Sequence, residues 1–279
     1  MSRLRVSLLA LVLGTALSGT AAAATMGDPD VAALQVGLSR KALYAGPIDG
    51  LLGPKTAVAV RRLERDGASL GRFARVDLGA RLLCPGSVGW DVAALQFLLA
   101  WHGFPSGPFD GHFGDRTGRA VLAFQGWAGV PTTGQVGPLT LAALRGPLPR
   151  TPIALVWPLA LPAGDLFGPR GDGFHPGIDI PADTGTPVAA AGTGVVVSAG
   201  FAPDGYGKRV VIDHGDGVTT ISAHLSRVDV STGQDVAAGD VVGLVGATGE
   251  ATGPHLHFEV RLRGAAVDPL SALPEKPLR

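Results

Sequence analysis

The N-terminal half of this 279-residue chain carries the same segment twice, and a duplicated segment is expected to fold into two similar units. The hexapeptide Asp-Val-Ala-Ala-Leu-Gln occupies residues 30–35 and again residues 91–96, an offset of 61. The same offset relates further identical residues without a gap: Gly46-Pro47 and Gly107-Pro108, Asp49-Gly50 and Asp110-Gly111, Gly53 and Gly114, Thr56 and Thr117, Ala59-Val60 and Ala120-Val121. A match of this length indicates a duplication rather than chance.

Each copy predicts a small helical module. Apolar residues recur at three- and four-residue spacing in both copies: Val31, Leu34 and Leu38, then Val92, Leu95, Leu98 and Leu99. Asp30 and Asp91 are expected to be N-caps, and the Asp-Gly pairs predict turns. Thr56 and Thr117 are expected at the start of a second helix, and a short third helix is predicted over residues 139–144.

The C-terminal part of the chain predicts short strands rather than helices. Alternate prolines make residues 146–154 an extended linker between the two parts. Beyond it, strands are predicted at Gly194–Ser198, Lys208–Asp213, Val218–Ala223, Val241–Val245 and His255–Arg261. Because strand follows strand without an intervening long helix, we expect antiparallel pairing.

Histidine and aspartate side chains in the C-terminal part predict a metal or acid/base site. His255 and His257 lie on the same face of a strand, because side chains alternate with a period of two. An isolated pair of this kind is more often two surface histidines. Here His175 and Asp179 lie four residues apart in a loop that enters a strand, and His224 lies between the two groups. Histidine and aspartate are suitable zinc ligands, and three protein ligands with one open position are typical of catalytic zinc.

Roughly residues 155–272 resemble the lysostaphin-type zinc metallopeptidases, a family of cell-wall endopeptidases. The segments that carry the resemblance are Phe167-Gly168-Pro169-Arg170, His175-Pro176-Gly177-Ile178-Asp179-Ile180, Pro187 to Val196, Val210 to Gly217, the segment around His224, Gly243 to Gly249 and Gly253-Pro254-His255-Leu256-His257. Ser222 departs from the pattern, because the family more often has tyrosine there, so we expect an aromatic group near the site to be missing.

The resemblance implies a role for each candidate residue. The ligands of one Zn²⁺ would be His175, Asp179 and His257; His255 as ligand in place of His257 is the less favoured alternative. His224 and His255 would be the non-ligand catalytic pair. One would accept the proton of the attacking water, and the other would stabilise the oxyanion or protonate the leaving amine. Arg170 would bind a substrate carbonyl or carboxylate, unless it is only an exposed structural arginine.

The two helical copies resemble peptidoglycan-binding modules that accompany many wall hydrolases. The second copy, residues 86–145, is the better match, and the first, residues 29–83, is degenerate. A purely structural helical spacer is the alternative. Trp101 and Trp127 could stack on sugar rings, although core packing is the more frequent role of tryptophan. His102 and His112 are expected to be surface residues rather than ligands.

The start of the chain predicts export. Residues 1–24 combine a basic start, an apolar core and a run of alanines, as a secretory signal peptide does. An uncleaved anchor is the alternative; after cleavage we expect no stable membrane insertion. The single cysteine, Cys84, excludes an intramolecular disulfide and is expected to be a small buried or half-buried residue. With 23 basic and 23 acidic side chains, no charge bias points to nucleic acid.

These features together predict a multidomain protein with small all-α repeats followed by an all-β antiparallel domain over residues 155–272, of the lysostaphin-type duplicated hybrid motif. The predicted function is a secreted or cell-envelope zinc endopeptidase that cuts peptidoglycan stems or cross-links and is held on its polymer by the repeats. The alternatives are a non-catalytic wall-binding or regulatory protein with the same fold and a peptidoglycan amidase. The presence of all five metal-binding and catalytic candidates favours the enzyme: His175, Asp179, His224, His255 and His257.

Overall fold

The computed structural model describes residues 24–70 and 76–275. The predicted signal peptide, apart from Ala24, lies outside the described residues. The five helices of the described part are α1 Pro29–Ser39, α2 Pro54–Arg65, α3 Trp90–Trp101, α4 Asp115–Ala128 and α5 Pro138–Leu144. No helix of residues 24–70 and 76–275 is both long and apolar enough to cross a membrane.

All strands lie after the helices. They are β1 Gly168–Arg170, β2 Gly173–His175, β3 Ile178–Pro181, β4 Pro187–Ala189, β5 Gly194–Ala202, β6 Gly207–Asp213, β7 Val218–Leu225, β8 Arg227–Val228, β9 Asp235–Val236, β10 Val241–Leu244, β11 His255–Leu262 and β12 Ala265–Val267. Their pairings are antiparallel. The prediction of a helical part followed by an antiparallel β domain is confirmed.

The central sheet positions the site. Its strand order is β12-β11-β7-β6-β5-β9, and β3 also pairs with β11. On one face of β11, Leu256 and Phe258 are fully buried in the apolar core. His255 and His257 therefore lie on the other face, as the strand period requires. The predicted strand at residues 255–261 is confirmed within one residue.

A buried glutamine holds each helical unit together. Its amide nitrogen donates to a loop carbonyl and a threonine hydroxyl, and its amide oxygen accepts from a glycine N–H. The glutamine–threonine pairs are Gln35 with Thr56 at 3.1 Å, Gln96 with Thr117 at 3.2 Å and Gln125 with Thr140 at 2.9 Å. The third pair has no counterpart in the first copy, which has Glu64 and Gly79 at the equivalent positions, so α4 and α5 form a shortened third unit of the same kind.

The two copies pack against each other through equivalent faces of α1 and α3. Ala32 and Ala33 of α1 share one apolar core with Ala93 and Ala94 of α3. Alanine at these positions lets the two helix backbones approach closely. The duplicated units therefore pack as a pair around a shared core rather than as two separate domains.

The helix caps differ from the prediction. The side chain of Asp28, not Asp30, caps α1, because Pro29 begins the helix two residues earlier than predicted. Asp28 Oδ1 accepts from the Asp30 amide at 2.7 Å. Asp91 lies inside the first turn of α3, where its buried carboxylate pairs with Arg81 at 2.7 Å. The prediction of Asp30 and Asp91 as N-caps is therefore wrong.

His102 is buried, so the prediction of a surface position is wrong for this residue. Its Nε2 donates to the Leu144 carbonyl at 2.9 Å, and its ring packs edge-on against Phe124. Every residue of α3 is buried, because other elements cover the helix on all sides. His112 is exposed and Cys84 is half-buried, as expected.

The helical part and the β domain share a continuous interface. Trp101 contacts Phe167 and Phe174 edge-on, with ring centroids 6.1 Å and 5.5 Å away. Ala266 of β12 donates its amide to the Gly103 carbonyl at 3.1 Å. The prolines at residues 146–154 form neither helix nor strand. The position of the linker remains a prediction.

Equivalent loops of the two copies hold the turn between β1 and β2. The amide of Ile48 donates to the Gly171 carbonyl at 2.9 Å, and the amide of Phe109 donates to the Asp172 carbonyl at 2.6 Å. Ile48 and Phe109 are 61 residues apart, so they occupy the same position in their copies. Both copies thus support the hairpin that ends at His175.

Candidate metal and catalytic site

Three potential ligand side chains converge where β2, β3 and β11 meet. His257 and Asp179 are direct partners in the pairing of β11 with β3, and His175 is the last residue of β2. Asp179 Oδ1 lies 2.8 Å from His257 Nδ1 and 3.1 Å from His175 Nε2, and the two nitrogens are 3.1 Å apart. One ligand atom from each residue therefore lies within 4.8 Å of the others.

The outward nitrogens of both imidazoles have hydrogen-bond acceptors. His175 Nδ1 lies 3.0 Å from the Leu166 carbonyl oxygen, and His257 Nε2 lies 3.0 Å from Glu259 Oε1. Each of these nitrogens therefore carries the proton in the neutral ring. The lone pairs of His175 Nε2 and His257 Nδ1 then point at the same place as the Asp179 carboxylate, as metal coordination requires.

Glu259 supports His257 from the interior and was missed by the sequence reasoning. Its side chain is fully buried, and Oε2 accepts from Arg261 Nε at 2.7 Å. The Tyr206 hydroxyl also donates to Oε1. Burial alone would raise the pKa of Glu259, but the hydrogen bond from His257 and the charge of Arg261 outweigh it and lower the pKa to about 2. Glu259 is therefore ionised.

The surroundings favour positive charge at the point where the ligand atoms meet. Burial alone would lower the pKa of His257, but hydrogen bonds to Asp179 and Glu259 raise it to about 9. Burial also opposes ionisation of Asp179, whose pKa the hydrogen bonds from His175 and His257 nevertheless lower. Two ionised carboxylates beside two imidazoles fit a divalent cation, and a donor set of two nitrogens and one oxygen is typical of zinc.

Two further imidazoles face this cluster without joining it. The His224 and His255 ring centroids are 4.8 Å apart. His224 Nδ1 lies 2.8 Å from the Thr248 carbonyl, and His255 Nδ1 lies 2.8 Å from the Gly253 carbonyl. Each ring therefore keeps an Nε2 lone pair on the cavity side. His224 has a left-handed backbone with φ of 61°, an uncommon conformation for a non-glycine residue.

His255 and His257, the two alternative ligands, differ in their distance from Asp179. His255 Nε2 lies 3.7 Å from Asp179 Oδ1, whereas His257 Nδ1 lies 2.8 Å from the same atom. His257 belongs to the three-residue cluster and His255 does not. The geometry therefore favours His257, which the sequence resemblance also favours.

Arg170 lies at the open side of the cluster. Its Nη1 is 3.0 Å from Asp179 Oδ2 and 3.5 Å from Asp165 Oδ2, and its side chain is 58% exposed. All six predicted site residues line one cleft of about 730 Å³: Arg170, His175, Asp179, His224, His255 and His257. Arg170 can therefore meet a molecule that reaches the cluster, although one of its nitrogens already pairs with Asp179.

An aromatic ring is present at the site, although Ser222 replaces the expected tyrosine. Tyr206, just before β6, has its ring centroid 5.7 Å from that of His257. The expectation that an aromatic group is missing near the site is therefore wrong. Tyr206 has no sequence signal of its own, because it reaches the site through the pairing of β6 with β7 and of β7 with β11. Glu259 had a signal: it lies two residues after His257, on the same strand face.

Comparison with known proteins identifies both parts of the chain. Residues 173–269 match the family model described as peptidase family M23, and residues 89–144 match the one described as putative peptidoglycan binding domain. The C-terminal part is therefore a metallopeptidase domain of family M23, and it contains all three residues of the candidate metal cluster.

Individual relatives share the peptidase region. The chain is 49% identical over 102 residues to the DD-carboxypeptidase/endopeptidase Mpg of Neisseria meningitidis serogroup B, covering 36% of this chain and 23% of that protein. It is 45% identical over 98 residues to the peptidoglycan DD-endopeptidase ShyA of Vibrio cholerae, covering 35% of this chain and 23% of that protein. The chain thus spans under a quarter of the length of these two relatives.

Among solved structures, the catalytic domain of lysostaphin from Staphylococcus simulans is similar to this chain. The identity is 34%, the TM-score is 0.38, and the match covers 39% of this chain and 90% of the other.

Proposed function

We propose that this chain, which joins a metallopeptidase domain of family M23 to a peptidoglycan-binding-like domain, is an exported zinc endopeptidase that hydrolyses peptide bonds in peptidoglycan stems or cross-links. The observation that carries the proposal is the convergence of His175, Asp179 and His257, with two further imidazoles on the same cleft. Two relatives support the choice of substrate: Mpg, named a DD-carboxypeptidase/endopeptidase, and ShyA, named a peptidoglycan DD-endopeptidase.

His175 Nε2, His257 Nδ1 and the Asp179 carboxylate would hold the ion. When bound there, zinc supplies Lewis-acid chemistry: it polarises a carbonyl group and makes water more acidic. Glu259 keeps His257 in the tautomer with its lone pair on Nδ1, and the Leu166 carbonyl does the same for Nε2 of His175. These two outer contacts fix the rings before any ligand arrives.

His224 and His255 are proposed to move the protons of the reaction. Hydrolysis forms a bond between water oxygen and the carbonyl carbon, breaks the carbon–nitrogen bond, and transfers one water proton to the leaving amine. Nε2 of one histidine accepts that proton, and the other histidine stabilises the oxyanion or protonates the amine. Thr248 and Gly253 carbonyls orient the two rings.

Arg170 is proposed to bind a carbonyl or carboxylate of the substrate at the mouth of the cleft. Its exposed guanidinium offers donors beyond the one that pairs with Asp179. The helical copies are proposed to bind peptidoglycan and so raise the local substrate concentration. Export through a signal peptide at residues 1–24 places the enzyme in the cell envelope or outside the cell.

The test is product analysis of the purified mature protein on isolated peptidoglycan. We expect mass spectrometry to find fragments cut within the peptides, each cut leaving one new amine and one new carboxyl group. Chelator should abolish these products and added zinc should restore them. Release of intact peptides from the sugar would instead identify an amidase, and binding without any product would identify a non-catalytic wall protein.

A further inference from the structure

A second cleft, of about 920 Å³, lies at the junction of the helical part and the β domain. It is separate from the metal cluster and shares no lining residue with that cleft. Its walls come from the loop after α3, from α4, and from the turn between β11 and β12. The cleft therefore exists only where the two domains meet.

The lining of this cleft is strongly basic. It includes Arg116, Arg119, Arg261 and Arg263, and no aspartate or glutamate among the described residues that line it. Arg261 already pairs with Glu259. The other three have no carboxylate partner within residues 24–70 and 76–275, in a chain whose formal net charge is zero. Such a concentration of positive charge favours an anionic ligand.

Two neutral side chains make the cleft more than a charged surface. Ser106 is 5% exposed, and its hydroxyl has no hydrogen-bond partner among the described residues. Buried hydroxyl groups are normally paired, so the unpaired Ser106 hydroxyl is an exception in the wall of the cleft. Trp127 donates its indole N–H to the Leu262 carbonyl at 3.1 Å, and the Arg263 guanidinium lies 5.0 Å from its ring. These contacts hold the arginine-bearing turn against α4.

We propose that this junction cleft binds the carboxylate groups of peptidoglycan stem peptides, as a second site for the polymer that the metal site cleaves. The proposal rests on the proposed function for the identity of the polymer. Arginine guanidinium groups bind carboxylates with two parallel hydrogen bonds. The indole of Trp127 supplies an apolar surface for the adjoining part of the ligand.

Strand β11 connects the two clefts. His255 and His257 line the metal cleft, and Arg261, on the same face of the strand, lines the junction cleft. At about 3.3 Å per residue, Arg261 lies about 13 Å along the strand from His257. A cross-linked polymer presents neighbouring stem peptides, so one stem peptide can occupy the junction cleft while another is cut at the metal site. Two such contacts on one polymer strengthen binding without a change at the metal site.

The test uses co-sedimentation of the zinc-loaded full chain with purified peptidoglycan, at 4 °C and over a time too short for cleavage. The variant is Arg116→Glu/Arg119→Glu, because both side chains are exposed and unpaired in the described part. The matched control, Arg61→Glu/Arg62→Glu, makes the same charge change on exposed residues of α2. We expect the first variant to bind at least about tenfold more weakly and the control to bind like wild type.

Chemically altered peptidoglycan identifies the anion. Amidation of the peptide carboxylates should weaken wild-type binding at least about tenfold and remove the difference between wild type and the Arg116→Glu/Arg119→Glu variant. Treatment with hydrofluoric acid, which removes phosphate-linked polymers, should leave binding unchanged. Equal binding by wild type and the variant on untreated peptidoglycan, insensitivity to amidation, or loss of binding after acid treatment would each overturn the proposal.

Failure of this proposal is distinguishable from failure of the proposed function. Cleavage of a short soluble wall peptide depends on the metal site alone, so the Arg116→Glu/Arg119→Glu variant should cleave it at the wild-type rate. A wild type that binds through the cleft but cuts nothing refutes the hydrolase and leaves the cleft standing. A wild type that cuts the wall, with binding unaffected in the variant, refutes the cleft and leaves the hydrolase standing.

Discussion

His257 has contacts with every other group of the metal cluster, so its removal is the most direct test of the ligand assignment. His257→Ala removes one of the three ligand atoms and leaves Glu259 without its imidazole partner. We expect zinc affinity to fall by more than roughly 100-fold and peptidoglycan cleavage to be lost. Zinc content of the dialysed protein measures the first effect. His112→Ala, at an exposed histidine, is the control; a His257→Ala protein with normal zinc and activity would refute the assignment.

Glu259 contacts the metal cluster through His257. Glu259→Gln keeps the size of the side chain but removes the charge that holds the proton on His257 Nε2. We expect zinc affinity to fall about 10- to 100-fold, measured by competition with a fluorescent chelator. Glu64→Gln, on an exposed residue of α2, should leave the affinity unchanged. Equal affinities in both variants would show that Glu259 is not a support for the site.

His102 makes the stability of the helical part depend on pH. Burial lowers the pKa of His102, an effect larger than the opposing one of its hydrogen bond to the Leu144 carbonyl. The unfolded chain therefore binds the proton first, and the stability that the neutral ring contributes is lost as pH falls below about 6.5. We expect wild type to lose up to about 1.4 kcal/mol more per pH unit there than His102→Gln.

Urea unfolding of both proteins between pH 7 and pH 5 measures this difference. Parallel losses of the free energy of unfolding in wild type and His102→Gln would contradict it. The result also bears on the sequence reasoning. A histidine at the end of a helix was expected at the surface, since the pattern of one helix does not reveal what covers its other faces.

At the scale of elements, the glutamine of each helical unit makes a specific stability prediction. Gln125 bonds to the Gly134 amide, the Gln135 carbonyl and the Thr140 hydroxyl. Gln125→Leu removes these three hydrogen bonds and takes the amide partner from the buried Thr140 hydroxyl, so we expect the free energy of unfolding to fall by about 3 kcal/mol. Gln135→Leu changes an exposed neighbour and should have little effect. Similar losses in both variants, measured by chemical denaturation, would exclude this role.

The sequence predicts an element best where neighbouring residues alone determine that element. The strand over residues 255–262 follows from alternation, and its extent is predicted within one residue. The cap of α1 is wrong by two residues, because Pro29 sets the start of the helix more strongly than the later Asp30. The third glutamine–threonine pair was missed since its loop is shorter than in the duplicated copies.

At the scale of the whole molecule, Gly103 tests how firmly the two parts are joined. A Cβ on Gly103 would lie 2.3 Å from the Ala266 carbonyl oxygen, and the backbone φ there is +87°. Gly103→Ala should therefore lower the free energy of unfolding by about 2–4 kcal/mol, through strain and displaced contacts. Proteolysis within residues 146–154 should become faster as the parts separate.

Gly129→Ala is the matched control for that variant. Gly129 also has a positive φ, +69°, but a Cβ there meets nothing within 4 Å. Gly129→Ala should lower the free energy of unfolding only by the backbone strain, about 1–2 kcal/mol, and leave the proteolysis rate of the linker unchanged. An equal effect of both alanines on the linker would mean that the contact between Gly103 and Ala266 does not join the parts.

The convergence of the metal cluster is also a property of the whole molecule. The ligand types and their strand faces were readable from the chain, but Tyr206 reaches His257 only because β7 pairs with both β6 and the distant β11. The junction cleft was not predictable at all. It depends on how α4 meets the turn after β11, and no local pattern records that contact.

The amides of Ile48 and Phe109 donate hydrogen bonds to successive carbonyls of the β1–β2 turn. These two bonds limit which changes to the two copies the hairpin tolerates. Deleting either copy would leave every proposed metal ligand in the chain. The hairpin that ends at His175 would nevertheless lose one of these two hydrogen bonds. Substitutions on the outer surface of the earlier copy therefore leave the hairpin in place, whereas changes in its Gly-Pro-x-Asp-Gly loop disturb it. The two copies bind different carbonyls of the same turn, so neither copy can replace the other.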